Sequence, residues 1–418
     1  MRAKLVFALR QIPGWSTIRT LTSAIYLVAA RFFGWLIGAP IVALLFLIEP
    51  FFKVRFCHIG AVTRIGWLAV SPDYYLRLWR REGMPPDSHF IFVMHSPDNR
   101  PFMEMYKRVL SVWESRIADT LLGIAAPVLG KTRFVLSDHS KYHNSRFYSD
   151  DAVFLHLTAE EERRGKDFLR SLGIGENDWF VPFHAREPQY YENIRVSTYT
   201  QSVHAYRDCS PENYLSAAKL ISDRGGFAIR MGAGKIPALK TPLPARVIDY
   251  AVNQRDEFAD IYLCAKAKFF LGNSAGLVCV PTIFGVRNAV ANYIPYSSTP
   301  LNRNDVWIPK LIRHTPSGQL LTFKEAETLG FFALGLTSEA LCEVLDREKL
   351  VCEENSPEDI ADLCRDMLDA FDGNHPAAQA RDLQLFFRDQ YESHLQDKEF
   401  LPLISGRFAK KYEKLIRP

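Results

Sequence analysis

The chain has 418 residues, enough for two globular units with attachments rather than a single core. Hydrophobic residues make up 48% and charged residues 23% of it, ordinary globular usage that excludes a disordered polymer. Basic residues number 51 against 47 acidic ones, a net charge of +4 with no sustained basic run, which argues against a nucleic-acid partner.

The N-terminal stretch is apolar from Leu21 to Phe52, and Phe32 to Ile48 carries no charged side chain. A run of about 17 such residues is the short limit for crossing a bilayer. Residues 1–55 therefore read as a basic and apolar membrane anchor. Arg2, Lys4, Arg10 and Arg19 precede the run while Lys53, Arg55 and Arg64 follow it, so the positive-inside bias points both ways. Gly38-Ala39-Pro40 marks an expected break in the middle, where a shallow hairpin would turn back. A single span and a buried core helix are the alternatives. The seven cysteines form no C-x-x-C pair and are odd in number, which fits reduced thiols and a body facing the cytosol.

Beyond the anchor, short apolar runs alternate with helical patterns. Residues 56–173 form the first expected unit, with strands at His89–Met94 and Thr132–Leu136 and an amphipathic stretch from Pro101 to Leu122 between them. Arg64-Ile65-Gly66-Trp67 reads as a first strand leading into a glycine loop. Thr158 and Glu161 make a capping box for a helix ending at Gly173, expected to join the two units.

Residues 174–375 form the second expected unit. Its strands read as Trp179–His184, Phe227–Met231, Arg246–Asp249, Ala267–Leu271 and Asn288–Asn292, with a helix opened by Ser210-Pro211 and another by Ser356-Pro357. Strands and helices alternating at this spacing predict an α/β fold, two Rossmann-like domains with parallel, doubly wound sheets. Residues 376–418 read as a helical tail.

The sharpest local signal is Gly272-Asn273-Ser274-Ala275-Gly276, a tight turn between a buried strand and a helix carrying Val278, Val280 and Ile283. Small residues admit a ligand close to the backbone, and free N–H groups at a helix start suit phosphate. The same five residues also match the G-x-S-x-G elbow of serine hydrolases, with Ser274 as nucleophile and Asp346 and His375 as available partners.

His184 and Arg186 follow the first strand of this unit, on the edge where open α/β sheets place ligands, and Arg207, Arg230 and Asp249 fall at or near the same edge. Arg230 lies inside an apolar strand, where it must pair with a carboxylate such as Asp249 or reach a ligand anion. In the first unit, His95 and Asp98, with Asn99 and Arg100, follow one strand; Asp138, His139, Lys141 and His143 follow the other. No D-x-D, H-E-x-x-H, Walker-type or G-x-G-x-x-G motif occurs, so no metal or cofactor is expected and arginines would meet a diphosphate's charge.

FVPFHARE, FAIRMG, RVIDYA, DEFADIYLCAKAKFFLGNSAGL, FGVRNAVANYIP and the capped SPEDI helix together resemble a family of bacterial glycosyltransferase-like proteins, similar in outline to the two-domain GT-B fold. The likeness extends to the N-terminal lead and RIGWLA. It implies a nucleotide-sugar donor held by the C-terminal half, a role in surface polysaccharide or other glycan assembly, and a place at the cytoplasmic face of the bacterial inner membrane. The HAR stretch is also similar to one in some fucosyltransferases, which would put Arg186 on the donor diphosphate. The family position after RIG often carries His, and here it is Trp67.

These readings converge on a metal-independent glycosyltransferase. Arg186, Arg207, Arg230, Asp249, Asn273, Ser274, Ala275 and Gly276 would bind the donor, and His95, Asp98 and His184 are the catalytic candidates. Its partners would be the nucleotide-sugar, a glycan or lipid-linked acceptor and the membrane surface. A nucleotide-sugar epimerase, a pyruvyl transferase, a serine hydrolase and an inactive membrane scaffold are the rivals.

Overall fold

The computed structural model describes residues 15–58, 62–136, 145–148, 150, 152–188, 202–234, 236–333, 335–374, 380, 382–385 and 402–417, with side chains from 32 onward other than 145–146. The chain divides into two compact units that interleave along the sequence. The first takes residues up to Val62, Glu82–Pro97 and Leu110–His139; the second takes Thr63–Arg81, Asp98–Val109 and Ser140 onward. The expected boundaries at 55 and 173 therefore do not separate them, and helix Ala159–Ser171, capped as foreseen by Thr158 and Glu161, belongs wholly to the second unit rather than joining the two.

The first unit is built on four parallel strands, β1 (Lys53–His58), β2 (Ser88–Met94), β3 (Val112–Glu114) and β4 (Val135–Leu136), in the order β3-β2-β1-β4. Helix Arg116–Leu129 packs through Leu122, Ala125 and Leu129 into its core. The apolar N-terminal segment is helix Trp15–Ile48, which runs unbroken through Gly38 and Pro40. The expected break does not occur because Gly34 and Gly38 face helix Arg116–Leu129. A Cβ at Gly34 would lie 2.8 Å from the Ile124 carbonyl oxygen, and one at Gly38 3.0 Å from Val128 Cβ. The glycines admit close helix packing instead of a turn. Among the described residues no helix is long and apolar enough to cross a membrane.

The second unit carries a seven-stranded parallel sheet. Its strands are β5 (Phe180–His184), β6 (Phe227–Met231), β7 (Val247–Ile248), β8 (Phe270–Gly272), β9 (Asn288–Tyr293), β10 (Val306–Pro309) and β13 (Leu403–Ile404), ordered β13-β10-β9-β8-β5-β6-β7. A separate antiparallel pair joins β11 (Leu311–His314) to β12 (Leu350–Glu353). The chain goes out from β5 through β6 to β7, then returns to the other side of β5 as β8. This is a doubly wound sheet with its switch point between β5 and β8. The expected helical tail corrects here, since Leu403 and Ile404 are buried and extend the sheet as its edge strand.

Three further readings change. Ile65-Gly66-Trp67 opens helix Ile65–Glu82 rather than forming a strand, and the first strand is β1, which starts inside the expected anchor. The stretch from Pro101 to Leu122 resolves into helix Arg100–Lys107, strand β3 and the first half of helix Arg116–Leu129. Asn99 caps the first of these helices, accepting from Phe102 N, and Ser115 caps the second, accepting from Ala118 N, so each has its own start signal. Ser210-Pro211 starts a short 3-10 turn, Pro211–Tyr214, that continues as helix Leu215–Asp223.

Candidate active site

A cavity of about 550 Å³ opens in the second unit at the carboxyl ends of β5 and β8, and every residue lining it belongs to that unit. His184 to Glu187 enter it from the end of β5, Ser274 to Cys279 from the end of β8, and Tyr206-Arg207 from the loop before helix Leu215–Asp223. Arg64 to Trp67 and Asp98 complete one wall. The site thus occupies the switch point, where two crossovers diverge and the sheet edge is left uncovered.

The turn after β8 is as tight as its small residues predict, with Ala275 N donating to Asn273 O at 2.6 Å. Gly276 lies against Gly66, and a Cβ on Gly66 would meet Gly276 Cα at 2.7 Å. Only glycine at both positions lets these backbones touch. The helix that follows is much shorter than expected, a 3-10 turn at Gly276–Val278 and then helix Cys279–Ile283. Five α-helical residues give a weak dipole, so the turn's contribution to binding an anion rests on small size and local N–H groups.

The arginines divide into two kinds. Arg186 is buried; its guanidinium pairs with Asp208 and donates to His204 O at 3.1 Å, while its N–H donates to Asn273 Oδ1 at 3.3 Å. Arg230 is only 1% exposed and does not line the cavity. It donates to Asp249 at 3.0 Å, as its apolar strand required, and also to Glu187 at 2.7 Å and to the Pro237 carbonyl at 2.9 Å. Burial raises the Glu187 carboxyl, and Arg230 works against that rise. Arg207 and Arg64 line the cavity, as Arg186 does, and are less buried than it. Arg207 Nε donates to the Ser274 carbonyl at 2.8 Å, bracing the turn, and Arg64 is exposed at the rim. Asn273 is buried and outside the lining. By donating to Arg207 O at 3.0 Å and accepting from Arg186 N it ties together the two segments that bear these arginines.

His184 Nδ1 lies 3.1 Å from the Met231 carbonyl, which can only accept, so this nitrogen carries the proton. Burial lowers the imidazole to about 4, with Arg186 and Arg230 adding to the fall. A neutral ring fixed in this way is a hydrogen-bond partner for a ligand and a poor proton carrier near neutral pH. Asp98 has the opposite shift. Burial raises its carboxyl to about 6, against the pull of Arg255 and of the Ile65 N–H. Beside it, Asp260 is raised by burial to about 7 while paired with Arg255 at 2.9 Å. Two acids with elevated values and the cation Arg255 therefore line the cavity together.

His95 belongs to the first unit and is not among the residues lining the cavity. Its Nδ1 is 3.1 Å from Asp119 Oδ2, and His58 Nε2 is 3.0 Å from Asp119 Oδ1, so one carboxylate sits between two imidazoles at the carboxyl ends of β1 and β2. Sequence reasoning missed His58 and Asp119, although His58 ends an apolar strand just as His95 follows one. It also missed Arg64, Arg255 and Asp260. Asp138, His139, Lys141, His143 and His375 lie outside the described residues. Ser274 Oγ approaches the Asn292 carbonyl at 3.5 Å, and Asp346 borders a second, separate pocket with Lys310, so these two residues do not assemble a hydrolase triad.

No protein-family model matches the chain, and no curated protein is significantly similar to it. Among solved structures it is similar to a glycosyl transferase family 9 protein from Veillonella parvula, with 11% identity over 71% of this chain and 97% of that one and a TM-score of 0.37. It is also similar to E. coli ADP-heptose lps heptosyltransferase II, with 14% identity over 71% and 98% and a TM-score of 0.41, and to E. coli heptosyltransferase WaaC with ADP, with 11% identity over 71% and 98% and a TM-score of 0.32. Similarity at this level carries no weight for fold or function, which rest on the geometry above.

Proposed function

We propose that this chain is a glycosyltransferase that moves a sugar from a nucleoside diphosphate-sugar to a glycan or lipid-linked acceptor, at the cytoplasmic face of a bacterial inner membrane. The observation that carries the reading is the cavity at the switch point of the parallel sheet, lined both by arginines and by a carboxylic acid tuned to about 6. Its volume of about 550 Å³ suits a ligand of nucleotide-sugar size. Arg64 and Arg207 meet the diphosphate, with the backbone of Ser274, Ala275 and Gly276 close against it. Arg186, Arg230, Asp249 and Asn273 hold the loops that present them. His184 accepts a hydrogen bond from the donor at Nε2. Asp98, as carboxylate, takes the proton from the acceptor hydroxyl as its oxygen bonds to the anomeric carbon. The bond to the diphosphate breaks, and the leaving charge passes to the two arginines.

The test is thermal stabilisation by a panel of nucleoside diphosphates and their sugars, followed by product analysis. One nucleotide should raise the wild-type midpoint, and Arg64→Ala and Arg207→Ala should each lose that response while melting cooperatively. Release of nucleoside diphosphate with a sugar-acceptor adduct supports transfer, whereas an altered nucleotide-sugar supports an epimerase. Binding with no release supports an inactive scaffold, and no binding by any of the panel overturns the donor site.

A further inference from the structure

Exposed large hydrophobic side chains are concentrated on one layer of the first unit. Of the twenty among the described residues, nine fall between Phe32 and Phe52 and three on helix Arg116–Leu129. Helix Trp15–Ile48 uses Gly34, Ile37, Gly38, Ile41 and Leu45 as one face, and this face is packed on helix Arg116–Leu129. Phe32, Trp35, Leu36 and Leu47, on other faces of the same helix, are each at least 60% exposed, and Phe51 just beyond it is 89% exposed. A solvated helix would put polar residues there.

We infer that this layer docks in the plane of a lipid leaflet, with the aromatic side chains entering the acyl boundary and the helix axis lying along the surface. The proposal is independent of the transferase reading. Two observations favour lipid as the occupant. First, the helix cannot leave for a transmembrane path without stripping its glycine face from the unit's core. Second, the charges suit anionic headgroups. Glu49 is the only acid from Trp15 to Phe52, and it is neutralised by Arg55 at 2.7 Å and by Arg133. Arg133 is 60% exposed and stacks over Phe46 at 5.2 Å, and Arg116 and Lys131 are exposed beside the two ends of helix Arg116–Leu129. Aromatic and aliphatic groups rimmed by cations are the composition of an interfacial helix.

The experiment is co-sedimentation of the full chain with vesicles of phosphatidylcholine and phosphatidylglycerol. Wild type should sediment with them, and Trp35→Glu/Leu47→Glu should partition about a hundredfold less, as expected when two apolar anchors are lost. Arg116→Glu/Lys131→Glu should weaken binding to the mixed vesicles and leave any binding to pure phosphatidylcholine unchanged. As a measurement that does not depend on a charged variant folding, brominated acyl chains should quench the fluorescence that Trp35→Phe removes. Wild type that stays in the supernatant, or no quenching of Trp35, overturns the proposal. So does a wild-type dimer in light scattering that Trp35→Glu/Leu47→Glu converts to monomer with vesicle binding unaltered, which would make this face a contact between copies.

Discussion

Asp98→Asn separates the two consequences of a tuned acid, because the same burial that makes Asp98 a useful base makes it costly to the fold. Its carboxyl rises from the usual 3.8 to about 6, chiefly through burial, with Arg255 and the Ile65 N–H holding it down. A folded value above the unfolded one means that the group's contribution to stability is fully present at low pH and is lost as pH rises through about 6. At about 1.4 kcal/mol per pH unit the difference is worth up to about 3 kcal/mol. Asparagine keeps an oxygen for the Ile65 N–H and has no charge to bury. The variant should therefore be more stable than wild type at pH 7.5, by up to about 3 kcal/mol, and show no difference near pH 4. Activity should move the other way. Removing a general base costs about 10² to 10⁴ in rate, and the rise of kcat/KM through about pH 6 expected of wild type should vanish. The assays are denaturant unfolding at both pH values and release of nucleoside diphosphate against pH. Full activity with an intact acid limb would refute the assignment of Asp98 as the base. A variant less stable than wild type at pH 7.5 would refute the burial argument itself.

Arg230→Met should lower stability by about 3 to 5 kcal/mol in denaturant unfolding, because it strands Glu187 and Asp249 in the core without their cation; the loss should deepen as pH rises above the usual carboxylate range. Gly66→Ala places a Cβ 2.7 Å from Gly276 Cα, where only backbone can yield, so it should cost about 1 to 3 kcal/mol in the same measurement and weaken the nucleotide-induced thermal shift. His184, lowered by burial to about 4, contributes stability that is present above its usual 6.5 and lost as pH falls through about 4. His184→Gln should flatten the fall in melting temperature between pH 6.5 and 4, and should leave the activity limb near pH 6 in place.

Strand-and-helix alternation was enough to read the second unit's sheet, since β5, β6, β8 and β9 are short apolar runs buried along nearly their whole length. The first unit was harder. Its strand β3, Val112–Glu114, is three residues long and half-exposed, too short to show a period; in the second unit, helix Ile65–Glu82 begins with the same apolar triplet that a strand would. The glycine at its start records a long-range requirement, contact with Gly276 some 210 residues later, and no local pattern encodes that. In the N-terminal helix, Gly34 and Gly38 are the sign of close helix packing, but Gly38 beside Ala39 and Pro40 read as a break.

The site illustrates the same limit in electrostatic terms. A sequence places arginines at a sheet edge but does not reveal which carboxylates they have already found. Arg230 stood out because it lies in an apolar strand, the condition under which a guanidinium must be matched by a carboxylate or a ligand anion, and Arg186 because it follows a strand on the edge where ligands bind. The structure matches Arg186 with Asp208 and Arg230 with Glu187 and Asp249. Arg64, exposed, and Arg207, half-buried, sit in loops and line the cavity together with the buried Arg186. For an anion site in a doubly wound sheet, the buried arginine already paired with a carboxylate is thus the better candidate for bracing the scaffold and the exposed loop arginine for binding. The comparison of Arg64→Ala with Arg186→Ala tests this division directly. The first should lose nucleotide stabilisation with an unaltered melting temperature, and the second should melt lower whether or not nucleotide is present. If the first melts lower and the second alone loses the nucleotide response, the division is wrong.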